Sequence, residues 1–114
     1  MTLKNKRPWG YFEVLSEAPN HKVKRIVVEP GGILSLQRHK QRSEHWFVVS
    51  GKGIASIDGK DYSVQNGSTV DIPSKKTHRL ENSSTENLVI IEVQTGEYFG
   101  EDDIERLEDK YGRT

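Results

Sequence analysis

Apolar residues fall in short stretches, some alternating with polar ones and some continuous, most of them punctuated by Gly or Pro. Residues 11–17 (YFEVLSE), 21–32 (HKVKRIVVEPGG) and 33–39 (ILSLQRH) open the series. Residues 44–53, 53–59, 60–68, 69–74, 77–84 and 87–96 continue it. This predicts roughly eight to ten short strands with frequent turns, the pattern of an antiparallel sandwich or barrel. Asp58-Gly59 between two such stretches is a strong signal for a tight hairpin. A helical period emerges only at the end, in GEDDIERLEDKYGRT, where an acidic first turn precedes Ile104, Leu107 and Tyr111. That segment predicts one short C-terminal helix covering an exposed edge.

One stretch breaks the apolar rule. In LSLQRHKQRSEHW (34–46), Gln37 and His39 are two apart and share a strand face, while Leu34 and Leu36 take the other. A polar face opposite an apolar one points to a cavity. Composition agrees: apolar residues are 32% and charged residues 30% of 114, lean for a solid core but clustered enough to fold. The length fits a single domain spanning residues 1–114. Equal numbers of acidic and basic residues remove any electrostatic case for nucleic acid or an anionic membrane. With no cysteine, disulfides and thiolate metal sites are excluded. No secretory signal and no run near ~20 apolar residues is present, so a cytoplasmic location is expected.

Glu44 opens the strand after Gln37 and His39, and His78 lies on a late strand beyond IPSKKT. In a closed barrel such distant strands become neighbours. Two imidazoles, a carboxylate and an amide oxygen can then converge on one divalent ion. Zinc is the first expectation, and Mn, Fe, Co or Ni suit the same mixed N/O donors. The weak amide ligand leaves a position for substrate.

These residues carry a family resemblance. The pattern G-x5-Q-x-H-x4-E-x6-G runs from Gly31 to Gly51, and G-x5-P-x4-H-x3-N from Gly67 to Asn82. They resemble the two cupin motifs in order and separation, with Gln37 where the first His is usual and Lys75 where a Gly is usual. RPWGYFEVL, LSLQRHKQRSEHWFVVSGKG, IPSKKTHRLEN and IEVQTGEYFGEDDIERLEDKYGR extend the likeness over nearly the whole chain. They look like the C-terminal cupin domain of type II mannose-6-phosphate isomerases, which in that family often follows a mannose-1-phosphate guanylyltransferase domain. The resemblance implies a double-stranded β-helix (jelly-roll) barrel. It also implies metal ligands at Gln37, His39, Glu44 and His78, and interconversion of mannose 6-phosphate and fructose 6-phosphate. No Gly-rich nucleotide loop lies upstream, so guanylyl transfer is not expected of the chain, and a separate guanylyltransferase is a candidate partner.

That chemistry needs polarised sugar oxygens, a proton carrier and a held phosphate. Arg79, beside His78, is the first candidate for stabilising developing negative charge or gripping the phosphate. Arg42, Lys75, Lys76 and, more remotely, Lys24 are candidates for the phosphate. Glu92 shares a face with Gln94 and is a candidate base if that face is inward; a metal-bound hydroxide competes for the role. Two other readings stay open: a non-catalytic sugar or sugar-nucleotide binding cupin, and a metal-dependent cupin dioxygenase. His21 and His45 read as ordinary solvated or packed residues, Trp9 and Trp46 as core or rim. Exposed edge strands lead to the expectation of a homodimer.

Overall fold

The hairpin signal at Asp58-Gly59 is where strand pairing is easiest to trace. In the computed structural model, which describes residues 3–100 and 102–112, both residues have positive φ, 50° and 83°. That geometry matches a tight hairpin turn and brings Ile57 opposite Lys60. The same logic of short strands and tight turns gives eleven strands among the described residues. They are β1 (Asn5–Arg7), β2 (Gly10–Ala18), β3 (His21–Val28), β4 (Leu36–Arg38), β5 (Arg42–Ser50), β6 (Lys52–Ile57), β7 (Lys60–Gln65), β8 (Thr69–Ile72), β9 (His78–Glu81), β10 (Leu88–Gly96) and β11 (Glu105–Glu108).

They form two antiparallel sheets, ordered β1-β2-β3-β10-β5-β8 and β11-β4-β9-β6-β7. Neighbours distant in sequence, such as β3 and β10 or β4 and β9, pair directly, as a jelly roll requires. The inner faces meet over Ile26, Val28, Trp46, Val48, Leu80 and Ile90, all nearly or fully buried. Each such side chain contributes about 1.5–3 kcal/mol by leaving water.

The inner face changes character along three adjacent strands at one level. β5 runs inward as Val48, Trp46, then Glu44 and Arg42; β10 as Leu88, Ile90, then Glu92 and Gln94; β3 as Val28, Ile26, then Lys24. Register aligns the change, with Glu92 opposite both Trp46 and Lys24, and Gln94 opposite Glu44. One end of the barrel is therefore packed core and the other a polar cavity. This accounts for the low apolar fraction.

The expected C-terminal helix is not formed. Residues 105–108 instead make β11, an edge strand on β4, with Glu105 opposite Arg38 and Arg106 opposite Gln37. The helical spacing of Ile104, Leu107 and Tyr111 is real, but the exposed backbone of β4 offers hydrogen bonds that one short helix could not replace. Tyr111 still packs on the core, and its hydroxyl accepts the Ile33 N–H at 3.3 Å. Glu101, Arg113 and Thr114 of the expected helix lie outside the described residues.

Asn82, the last position of the second motif, is fully buried and serves the fold. Its amide donates to the Val28 and Glu86 carbonyls at 2.8 and 2.7 Å, and its oxygen accepts from Ser84. No described helix is long and apolar enough to cross a membrane.

Candidate metal centre

His39, Glu44 and His78 converge at the polar end, with ligand-capable atoms all within 4.8 Å of one another. Their positions follow from local rules. Glu44 lies on the inward face of β5 by alternation. His78 starts β9 and points inward, opposite Gln37 in register. His39 follows β4 directly. All three are buried. His39 Nε2 is 3.1 Å from one Glu44 oxygen and His78 Nε2 is 3.6 Å from the other.

The other ring nitrogens settle the tautomers. His39 Nδ1 donates to the Asp103 carbonyl at 2.5 Å, and His78 Nδ1 to the Lys76 carbonyl at 3.1 Å. A carbonyl only accepts, so each Nδ1 carries the proton and each Nε2 lone pair faces Glu44. That is the arrangement a metal-binding imidazole adopts. Burial holds His78 below the ordinary imidazole pKa, against the opposing pull of Glu44, and favours the neutral ligand form. Burial pushes the Glu44 carboxyl upward, but its contacts with His39 and His78 outweigh that and hold it below its ordinary value. The donor set therefore fits a divalent cation. Gln37 lines the same cavity from the strand next to His78.

Around this cluster the structure gathers several expected residues. Arg42 begins β5 and lies on its inner face. Its guanidinium donates to the Gly100 carbonyl at 3.3 Å, reaches His39 Nε2 at 3.4 Å and lies 3.8 Å from Glu44. Lys24 also faces inward, 4.3 Å above the Phe12 ring. Glu92 is buried, accepts Trp46 Nε1 at 3.1 Å and Gln94 Nε2 at 2.6 Å. Burial and the neighbouring Glu44 charge push its carboxyl up to about 8. Trp46 donates to Glu44 as well, so one indole links the two carboxyl groups.

Three expected residues are not brought here. β9 stays regular through Arg79, so alternation turns that side chain away from His78, and it reaches Glu108 at 3.4 Å on the outer surface. Lys75 and Lys76 are exposed. Lys75 has φ 71°, which explains the Gly usual at that position, and its N–H donates to the His39 carbonyl. Lys76 pairs with Asp58 at 3.4 Å. His45 is an exposed partner of Asp71, and His21 bonds Asn20.

Asp103 and Arg106 were not legible as site residues. The Asp103 carboxylate accepts the Lys40 and Gln41 N–H groups at 3.1 and 2.9 Å, while its own carbonyl orients His39. Burial works against that charge, but the two N–H donors outweigh it and hold the carboxyl below its ordinary value. Arg106 lines the cavity from β11. Three buried polar atoms of cavity-lining side chains, Arg42 Nε, Gln94 Oε1 and Arg106 Nε, have no hydrogen-bond partner among the described residues. The cavity interior is narrow, about 70 Å³, and partly open to solvent.

Comparison with known proteins gives this geometry a context. Residues 1–109 match the family model described as mannose-6-phosphate isomerase C-terminal. Among curated relatives, the alginate biosynthesis protein AlgA of Pseudomonas aeruginosa is 49% identical over 108 residues, covering 95% of the chain and 22% of AlgA. A mannose-1-phosphate guanylyltransferase of Klebsiella pneumoniae is 42% identical over 107 residues, covering 94% of the chain and 23% of that protein. The chain thus spans about a fifth of these relatives' length. Among solved structures, the capsular polysaccharide assembling protein CapF of Staphylococcus aureus superimposes with TM-score 0.84 and 28% identity, covering 96% of the chain and 35% of CapF. A Klebsiella pneumoniae protein with a double-stranded β-helix domain matches at TM-score 0.75 and 19% identity, covering 85% of the chain and 83% of that protein, which supports the fold.

The expectation of a self-contained mannose-6-phosphate isomerase is overturned by these relatives. The highly identical ones are named for guanylyl transfer and for alginate synthesis, and CapF for capsular polysaccharide assembly. With a model match over residues 1–109 and the two-sheet barrel in place, the chain belongs to the mannose-6-phosphate isomerase C-terminal family, a family of cupins.

Proposed function

We propose that the chain is a metal-holding cupin module that binds a phosphorylated sugar or sugar nucleotide of the mannose series, within polysaccharide-precursor synthesis. The observation that supports this most is the buried His39–Glu44–His78 cluster at the floor of a cavity lined by cations. Arg7, Lys24, Arg42 and Arg106 line it against two carboxyl groups, Glu44 and Glu92, and Glu92 is held largely protonated near neutral pH. The floor therefore favours a cation and the walls an anion.

In this reading His39, Glu44 and His78 hold one divalent ion, with Gln37 as a further oxygen donor. Such an ion, when bound, supplies a Lewis-acid contact for a ligand oxygen. Arg42 neutralises negative charge beside the cluster, and Glu92 offers a proton to a ligand oxygen. Trp46 fixes both carboxyl groups by donating to each.

Calorimetric titration of the zinc-loaded chain tests the proposal, using mannose 6-phosphate, mannose 1-phosphate, GDP-mannose and unmodified mannose. Saturable binding of a phosphorylated compound, weakened about tenfold or more by metal removal, is expected. Failure of all three phosphorylated compounds to bind would overturn it.

A further inference from the structure

We infer that Arg106, on the C-terminal edge strand, is the anchor for the ligand's phosphoryl group. The inference rests on the reading of the cavity as a sugar-phosphate site and adds which residue takes the phosphate. It follows from asking which cavity cation is uncommitted. Arg42 is engaged with Gly100, His39 and Glu44. Lys24 lies over Phe12, and its charge acts on Glu92. Arg7 donates to the Lys6 carbonyl at 2.8 Å and stacks 4.9 Å from the Phe12 ring. Arg106 makes no side-chain hydrogen bond or ion pair among the described residues, although its Nε is buried.

β11 aims it. Glu105 turns outward and grips Arg38 through two bonds of 3.0 Å, which pins the strand. Strand alternation then turns Arg106 inward, beside Gln37. A buried guanidinium N–H without an acceptor is costly, and an anion arriving in the cavity relieves that cost. The planar fork of donors matches phosphate oxygens in pairs.

Distance suits the role. Arg106, Gln37 and His78 are consecutive in register across β11, β4 and β9. Two strand spacings separate the backbone of Arg106 from that of His78, about 10 Å. The narrow interior admits one end of a ligand to the metal cluster. A phosphoryl group at the other end of a six-carbon sugar then lies near the half-buried Arg106.

The test compares the full metal-loaded chain with Arg106→Gln, which keeps the length and polarity of the side chain. Mannose 6-phosphate and unmodified mannose are titrated, with inorganic phosphate as competitor. Glu105→Gln controls for loosening of β11 without touching the cavity face. Expected is a loss of about tenfold or more in mannose 6-phosphate affinity for Arg106→Gln, and loss of phosphate competition. Zinc affinity and mannose binding stay unchanged, and Glu105→Gln retains most of the affinity. Mannose 6-phosphate affinity within about twofold of the parent, or an equal loss for mannose, would overturn the inference while leaving the proposed function standing. A parent chain that binds no phosphorylated sugar would overturn both.

Discussion

Replacing Asp103 with Ala should loosen the metal centre from outside it. The Asp103 carboxylate receives two backbone N–H bonds, from Lys40 at 3.1 Å and Gln41 at 2.9 Å, and clamps the turn that leads out of His39. Its main-chain carbonyl orients the His39 ring. Any substitution keeps that carbonyl, but Ala removes the clamp that holds it in place. Hydrogen bonds to a charged group are worth about 1.5–3 kcal/mol each. Water can reach the freed N–H groups of this part-buried turn, so the low end applies and the two together come to about 3 kcal/mol. Loss of a residue that orients a metal-binding histidine costs about tenfold to a hundredfold in metal affinity. Two measurements separate the effects: thermal unfolding of the metal-free chain, and competition for zinc with a chromogenic chelator. Asp103→Ala should unfold earlier and bind zinc more weakly, with Asp103→Asn intermediate because one acceptor remains. Zinc affinity equal to the parent's in a folded Asp103→Ala protein would refute the reasoning.

Other consequences are equally direct. Arg79→Ala, Lys75→Gly and Lys76→Ala should each leave sugar-phosphate affinity within about twofold of the parent by calorimetry, because all three point away from the cavity. A large loss in any of them would mean that the outer surface of β9 or the turn before it is part of the site. In the metal-free chain Glu92 has its pKa raised to about 8, so the folded state prefers the protonated acid. The stability this group contributes is complete below the unfolded value near 4.5 and is lost as pH rises towards 8, by on the order of a few kcal/mol. Glu92→Gln should flatten that slope in chelator-treated protein followed by denaturant unfolding; an unchanged slope would contradict the assignment. Asn82→Ala should cost about 2–4 kcal/mol by stranding the Val28 and Glu86 carbonyls, while zinc stoichiometry persists in the folded fraction.

The two motifs were readable because their chemistry and their geometry share one signal. Gln37-x-His39 obeys the strand period of two, and the turn glycines fix where each strand ends. Arg79 shows the limit of adjacency. It neighbours His78 in sequence, yet on a regular strand that places it on the opposite face. Glu92 and Gln94 sit in an apolar run, and only the pairing of β10 with β3 and β5 shows that this face meets the cavity. The C-terminal segment departs from its sequence pattern for a different reason. Ile104, Leu107 and Tyr111 have helical spacing, and nothing local records that the edge of β4 needs a partner. Asp103 and Arg106 were lost with that reading, since their roles exist only once β11 lies beside β4.

The proposed binding function depends on a single ion at His39, Glu44 and His78. The most direct measurement is the metal content of chelator-stripped, zinc-reconstituted protein, by elemental analysis, for the parent chain, Glu44→Gln and His78→Ala. About one ion per folded chain is expected in the parent and well under one in both variants. A parent that holds no zinc, or a His78→Ala chain that holds as much as the parent, would contradict it.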